Sequence, residues 1–193
     1  MIIKDIEVRD IDIVANLHKN NLISPSSKIG EDYLKKLYAL LLSDPKTHVF
    51  LVAREKGKIV GSITATKDLG QTNKLLEKLI SFSTFFIIFK AILSRKVTII
   101  ELFRRFMFEQ TVLKRYPKPY ASILALFVDK RHQRLGIGGT LIETILKKLK
   151  KMGIKKVYVD TLITNNKAFL FYKSLGFIEK KIFNDSRILE KQL

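Results

Sequence analysis

The sequence contains no cysteine and no tryptophan, and it has only four prolines and three histidines. Without cysteine, disulfide bonds, cysteine-ligated zinc and a thiol nucleophile are all excluded. The three histidines, His18, His48 and His132, do not have the spacing of metal ligands, so we expect no metal. Acidic residues are also scarce, since 18 Asp and Glu stand against 36 Lys and Arg, for a net charge of +18.

Positive charge on this scale suits nucleic acid, an anionic membrane surface or an anionic small ligand. Much of it falls on solvent-facing positions of a predicted helix, such as Lys147, Lys148 and Lys151, which is typical of a solvated face. The sequence contains no zinc finger and no basic module interleaved with aromatics, which disfavours nucleic acid. The segment Met1–Asp5 lacks the features of a signal peptide, which predicts a cytoplasmic protein.

The most informative stretch is Ile123–Met152, in which an apolar run, a basic loop, three glycines and a periodic helix follow one another. The N–H groups of a helix's first turn, with the positive end of the helix dipole, form an anion site. Glycines there let a phosphate chain approach the backbone. No lysine follows the glycines as in a Walker loop, and Leu141 stands where a dinucleotide motif needs glycine. The stretch predicts a phosphate-bearing ligand of another kind.

Two motifs indicate which phosphate-bearing ligand this is. Gln133–Gly138 fits the pattern [QR]-x-x-G-x-[GA], and Asn165–Phe177 fits N-x-x-A-x-x-F-Y-x-x-x-G-F. Together they resemble the GNAT superfamily of N-acetyltransferases, in which the first loop wraps the pyrophosphate of acetyl-CoA. The resemblance covers about Tyr120 to Phe183, roughly a third of the chain, and the N-terminal half is compatible with it.

The resemblance implies an α/β (α+β) fold. We expect a single N-acetyltransferase domain over 1–193, built on a mixed, mostly antiparallel sheet of about six or seven strands with a V-shaped splay and flanking helices. The patterns predict the elements in this order: strand Ile2–Val8, helix Asp10–Asn20, a break at Ser24–Ser27, helix Glu31–Leu42, strands Thr47–Arg54, Lys58–Thr66 and Ser122–Val128, a helix ending at Gly153, strand Lys156–Thr161, a helix ending at Gly176, and strands Phe177–Phe183 and Arg187–Leu189.

A helical insertion at about 72–109 separates the third and fourth strands. Its apolar residues predict one helix reaching from Leu75 to Leu93 and a second over Val97–Phe108. The apolar run is too short to span a bilayer. Three interpretations stay open: an extra helical layer on the core, a wall of the acceptor pocket, or a surface that touches a membrane or a partner.

The resemblance also implies the cofactor site. In the family the fourth strand splays from its neighbour at a bulge, and its backbone pairs with the pantetheine arm and the thioester carbonyl. By alignment, those groups belong to Leu126, Phe127 and Val128. The pyrophosphate loop would comprise Gln133, Arg134, Leu135, Gly136, Ile137, Gly138, Gly139 and Thr140, with Arg131 and His132 as further anion partners. Asn165 would bind the pantetheine or phosphate region, cap its helix, or do both.

Catalysis in the family uses the tyrosine that corresponds to Tyr172. It would protonate the departing thiolate and also touch the cofactor; the alternative is a packing tyrosine on an apolar face. Many relatives use a glutamate near the fourth strand, and the segment Ser122–Leu126 has no carboxylate there. Glu109 and Asp160 are the candidate general bases, and a chain of water molecules is the alternative.

The implied activity is direct transfer of acetyl from acetyl-CoA to a primary amine in a ternary complex. The alternative is a non-catalytic, acyl-CoA-binding regulatory domain. The acceptor is a small amine, an amino sugar, or a peptide or protein amine, and the sequence does not choose among them, nor does it determine the acyl-chain preference. A homodimer and contact with a membrane surface stay open, and nucleic acid is disfavoured.

Overall fold

The computed structural model describes residues 1–79, 82–94 and 118–193. Seven strands form one sheet in the order β1-β2-β3-β4-β5-β7-β6, antiparallel throughout except for the parallel pair β4 and β5. The predicted mixed, mostly antiparallel sheet is therefore confirmed. The strands are β1 (Ile2–Asp5), β2 (His48–Glu55), β3 (Lys58–Thr66), β4 (Tyr120–Val128), β5 (Lys156–Leu162), β6 (Ile178–Phe183) and β7 (Ser186–Gln192).

Helices cover both faces of the sheet. In the described residues they are α1 (Ile11–Asn21), α2 (Pro25–Ile29), α3 (Glu31–Leu42), α4 (Leu69–Glu77), α5 (Phe82–Leu93), α6 (Ile137–Lys151) and α7 (Asn166–Ser174). The break predicted at Ser24–Ser27 is wrong, because these residues begin α2. The Ser24 hydroxyl accepts from the Ser27 N–H, the Ser27 hydroxyl faces the Ser24 N–H, and Pro25 occupies the first helical turn.

The core has one layer on each face of the sheet. On one side α6 buries Leu141, Ile142, Ile145, Leu146 and Leu149, with α7 beside it. Each such burial stabilises the fold by roughly 1.5–3 kcal/mol. The periodic helix predicted here is confirmed, but Met152, its last apolar residue in the sequence, follows the end of α6 and is 41% exposed. On the other side, α1 and α3 pack over β2 and β4.

The sheet opens between its two parallel strands. β4 pairs with β5 only from Tyr120 to Ile123, whereas it pairs with β3 as far as Val128. The register of β3 against β4 shifts at Leu124, which is an extra residue in β4 and forms a bulge. Beyond the bulge β4 leaves β5, while β5 continues along β7 to Leu162. We call the space between Leu124–Val128 and Asp160–Leu162 the β4–β5 wedge; it is the predicted splay.

The insertion begins as two helices, so the single helix predicted from Leu75 to Leu93 is wrong. α4 ends at Glu77 and α5 starts at Phe82. At the start of α4, Asp68 accepts the Gln71 N–H, and the hydroxyls of Thr66 and Thr72 lie 2.7 Å apart. The helix predicted over Val97–Phe108 lies outside the described residues.

Candidate active site

A cavity of about 340 Å³ occupies the β4–β5 wedge. Its two sides are the bulged end of β4, from Ile123 to Leu126, and the end of β5, from Val159 to Leu162. The α1–α2 loop borders one end, and the turn between β6 and β7 borders another. Asn165, Ala168 and Tyr172 reach it from α7. Residues that are distant in sequence therefore share one space: Leu126, Asp160, Asn165 and Tyr172.

The bulged end of β4 offers backbone groups to this space. Among the described residues, β4 has no strand partner on its β5 side after Ile123, so alternate N–H and C=O groups there face the wedge. The side chain of Phe127 points away and is 3% exposed, against the ring of His18 at 5.1 Å. The Val128 carbonyl accepts a hydrogen bond from Gln133 Nε2 at 3.0 Å. Gln133, the first residue of the loop motif, thus holds the loop against the end of β4.

The loop leads into the open N-terminus of α6. Gly136 precedes the helix with φ of +78°, a left-handed conformation that favours glycine. The first helical bond runs from the Thr140 N–H to the Gly136 carbonyl at 3.0 Å, so the N–H groups of Ile137, Gly138 and Gly139 precede it. Within the described part of the chain, no side chain caps this end. The open first-turn amides are the arrangement that the sequence predicts for binding an anion.

The glycines of the loop serve two different needs. A Cβ at Gly136 would meet nothing within 4 Å, so this position lies open. A Cβ at Gly138 would lie 3.3 Å from the ring of Phe171 and 3.9 Å from a methyl group of Val128. Gly138 therefore lets α6 pack closely against α7 and β4, which is a different reason for glycine from the open approach to phosphate expected there.

Arg131 pairs with Asp129 inside the loop, with its side chain 83% exposed. Asp129 accepts from its backbone N–H at 2.9 Å and from its guanidinium at 3.0 and 3.2 Å. These hydrogen bonds lower the pKa of the Asp129 carboxyl to about 2. His132 lies 3.5 Å from a carboxylate oxygen of Glu55. Arg134 is exposed and has φ of +63°.

Tyr172 and Asn165 bring the second motif to the cavity. The Asn165 side chain accepts from the Ala168 N–H at 3.1 Å, so it caps α7 at the cavity edge. Tyr172 is 6% exposed, with its ring edge-on to Phe171 and Phe177. Burial, with a smaller effect from the charge of Asp160, raises the pKa of the Tyr172 phenol. The phenol is therefore protonated at neutral pH and able to donate.

The two candidate bases differ in what the structure says of them. Asp160 lies on β5 just past the last residue that pairs with β4, and it lines the cavity. Glu109 lies outside the described residues. The sequence interpretation missed the opposite wall, where Ser24, Lys28 and Asp185 line the cavity. The reciprocal spacing of Ser24 and Ser27 was the available signal for the first of these.

The insertion stands behind this wall. Among the described residues, the cavity lining includes none from α4 or α5. Leu69 of α4 packs with Tyr120, Tyr158 and Ile188, while Ala91 of α5 packs with Ile29 of α2. For the residues described, the insertion is an extra helical layer that supports α2.

Comparison with known proteins is consistent with this geometry. A family model described as "Acetyltransferase (GNAT) family" matches residues 13–177. The [ribosomal protein bS18]-alanine N-acetyltransferase of Escherichia coli is 34% identical over 62 residues, which are 32% of this chain and 42% of that protein. An N-alpha-acetyltransferase of Sulfurisphaera tokodaii is 33% identical over 61 residues, 31% of this chain and 36% of that protein. The matched segments thus span less than half of these relatives.

Solved structures share the whole fold at low identity. The PaiA N-acetyltransferase of Thermoplasma acidophilum, in complex with coenzyme A, superimposes with a TM-score of 0.66 and 16% identity over 100% of this chain and 98% of that one. The ribosomal-protein-S18-alanine N-acetyltransferase of Escherichia coli gives a TM-score of 0.63 and 16% identity over 99% and 92%.

Proposed function

Because this chain belongs to the acetyltransferase (GNAT) family, we propose that it transfers an acetyl group from acetyl-CoA to a primary amine in one direct step. The observation that carries the proposal is the β4–β5 wedge. In the described parts of the chain, one side of the wedge is a β4 edge without a strand partner, and Asp160 lies on the other side. Tyr172 of α7 also lines the cavity. The open N-terminus of α6 lies next to Val128, at the end of the same strand.

In this proposal the loop binds the diphosphate end of acetyl-CoA, and β4 binds its pantetheine arm and thioester. The amides of Ile137, Gly138 and Gly139, with Gln133 bracing the loop, would bind the diphosphate. The backbone of Leu126–Val128 would pair with the pantetheine arm as an added strand. A β4 N–H directed at the thioester oxygen would stabilise its developing charge, which is worth on the order of 3 kcal/mol in comparable sites.

The transfer itself needs two proton movements. The acceptor nitrogen forms a bond to the acetyl carbon while the carbon–sulfur bond breaks and its electron pair goes to sulfur. Tyr172 donates its phenolic proton to that sulfur, since its raised pKa keeps it protonated. Asp160, or a water molecule bound to it, takes the proton that the amine loses. Glu109 is the second candidate for this role.

The base can be identified with two variants. Asp160→Asn keeps the size of the side chain and removes the proton acceptor, so we expect turnover to fall by roughly 100-fold. Glu109→Gln is the matched variant. If Glu109→Gln loses turnover and Asp160→Asn does not, the base is Glu109; if neither does, a chain of water molecules is favoured.

The acceptor that we propose is the α-amine at the start of a peptide. The relatives in Escherichia coli and Sulfurisphaera tokodaii are named for acetylation of an alanine and of α-amines. The cavity extends between the α1–α2 loop at Leu22–Pro25 and the β6–β7 turn at Asn184–Ser186, which leaves room for an extended chain to enter. Lys28 and Asp185 at these two ends can contact the peptide backbone.

A thiol-release assay tests both the acetyltransferase activity and the identity of the acceptor. Acetyl-CoA is offered with N-terminal peptides, the same peptides already acetylated at the α-amine, small amines and an amino sugar. We expect thiol release with the peptides that have a free α-amine. Release with small amines alone would contradict the acceptor but keep the enzyme. Acetyl-CoA binding without release from any amine would favour a non-catalytic, acyl-CoA-binding domain.

A further inference from the structure

α5 has a buried face and an exposed face. Its inner face, with Ala91 and Ile88, packs against Ile29 of α2. On the outer face Phe86 is 62% exposed, Phe89 48% and Leu93 68%. The spacing of three and then four residues places these side chains on one side of the helix. We call them the α5 stripe.

The charged residues that flank the stripe in the sequence are of one sign. Between Glu77 and Glu101 the sequence has no Asp or Glu but four Lys or Arg, and Lys90, on α5 itself, is exposed. The chain as a whole has a net charge of +18. Exposed aromatic side chains next to lysine, on a helix without acidic residues, form the combination by which interfacial helices bind anionic lipid.

Other partners fit the stripe less well. Of the described helices, none is long and apolar enough to cross a membrane. A nucleic acid would meet the basic charge but not three apolar side chains in a row. A protein partner would need a groove that is both apolar and acidic, whereas an anionic bilayer offers an acyl layer and phosphates at the same place.

We propose that α5 lies on an anionic lipid surface, with Phe86, Phe89 and Leu93 at the boundary of headgroups and acyl chains and Lys90 at the phosphates. α5 rests on α2, and Pro25 and Lys28 of α2 line the cavity. The acceptor entrance therefore lies one helix away from the lipid surface. The surface would concentrate the protein where an amine displayed at a membrane can enter.

Vesicle sedimentation tests the proposal directly. Full-length protein is mixed with vesicles of phosphatidylcholine alone or with roughly 30% phosphatidylglycerol, at low salt. We expect partitioning onto the anionic vesicles only. The triple variant Phe86→Ser, Phe89→Ser, Leu93→Ser should partition roughly tenfold less. Lys90→Glu should also weaken binding.

The matched control is Ile178→Ser with Ile182→Ser on β6, where the two side chains are 64% and 51% exposed. This variant should bind vesicles as the wild type does. Coenzyme A binding shows that each variant is folded, and Phe86→Ser alone replaces the triple variant if that one is not. Equal binding of wild type and stripe variants would overturn the proposal and assign vesicle binding to the general positive charge. A wild type that dimerises while the stripe variant is monomeric would overturn it in favour of a contact between copies.

Discussion

At the scale of single residues, the proposed role of Tyr172 as the acid leads to a specific kinetic prediction. Its hydroxyl is the only proposed acid, and burial holds its pKa above the ordinary value. We expect Tyr172→Phe to lower kcat by roughly 100-fold while acetyl-CoA affinity stays the same, because only proton donation to sulfur is lost. Single-turnover kinetics with calorimetric binding would measure both quantities.

The matched control is Tyr158→Phe. Tyr158 is 1% exposed on β5, and it donates to Glu190 at 2.6 Å, outside the cavity lining. Its loss should reduce stability by about 1 kcal/mol and leave kcat unchanged. Equal kinetic losses in the two variants would mean that Tyr172 only packs.

Gly138 leads to a different expectation. A valine there would press on the Phe171 ring, which lies 3.3 Å from the point where a Cβ would stand, so Gly138→Val should lower the free energy of unfolding by roughly 1–3 kcal/mol. Adding Phe171→Leu should restore part of it. Gly139→Ala is the control, since its Cβ would meet Leu175 at an ordinary 3.9 Å. A valine variant with unchanged thermal stability but no coenzyme A binding would contradict this packing role.

Residue identity could be predicted where a motif specifies a backbone shape or a spacing. Gly136, Asn165 and Tyr172 lie where the two motifs put them, at the helix start, the helix cap and the cavity. The reason for Gly138 could not be predicted, because it depends on a ring from another helix. The ion pair between Arg131 and Asp129 could not be predicted from the sequence, because an Asp two residues before an Arg also occurs in turns where the two side chains do not pair.

At the scale of elements, His18 links three of them. Its ring on α1 lies within hydrogen-bond distance of the Tyr38 hydroxyl on α3, at 2.5 Å, and of the Ser24 hydroxyl at the start of α2, at 3.1 Å. It also contacts Phe127 of β4. Since Ser24 lines the cavity, this buried network connects the acceptor wall to the strand that would hold the cofactor.

This network predicts how stability changes with pH. Burial lowers the pKa of His18 from 6.5 to about 4, so the folded protein keeps it neutral where the unfolded chain would protonate it. Stability is therefore unaffected above pH 6.5 and falls as the pH drops from 6.5 towards 4. The loss is at most about 3.4 kcal/mol, at 1.36 kcal/mol per pKa unit. Urea unfolding at several pH values measures it.

His18→Gln removes the titrating group, so its free energy of unfolding should change less between pH 6.5 and 4 than that of the wild type. Glutamine can still hydrogen-bond to Tyr38 and Ser24. His132→Gln, at the surface of the cofactor loop, is the control. Parallel pH curves for wild type and His18→Gln would contradict the expected role of His18.

Helices and strands could be predicted where apolar residues recur with the period of a helix or a strand. The stripe of α6 and the strands of the β2–β3 hairpin follow from periodicity. The break between α4 and α5 could not be predicted, because the apolar pattern continues through it. A bulge in β4 could be predicted only from the family resemblance, because a uniformly apolar strand sequence does not indicate where its pairing is interrupted.

At the scale of the whole molecule, the net positive charge should affect how an anionic cofactor reaches the β4–β5 wedge. A net charge of +18 produces a field that attracts anions over distances set by salt, about 10 Å at 0.1 M. Coenzyme A carries several phosphate charges, whereas its reactive end is neutral. The field should thus act on binding of the cofactor and not on acetyl transfer within the site.

Salt should therefore raise KM for acetyl-CoA several-fold between low and about 0.3 M salt, while kcat at saturation stays constant. An acetyl thioester of pantetheine without phosphates is the control, because it has the same reacting group and no charge. Its KM should be nearly independent of salt. If both thioesters respond equally, salt acts on the fold or on the acceptor; if neither responds, the charge belongs to a solvated surface, and cofactor capture depends only on the local amides at the start of α6.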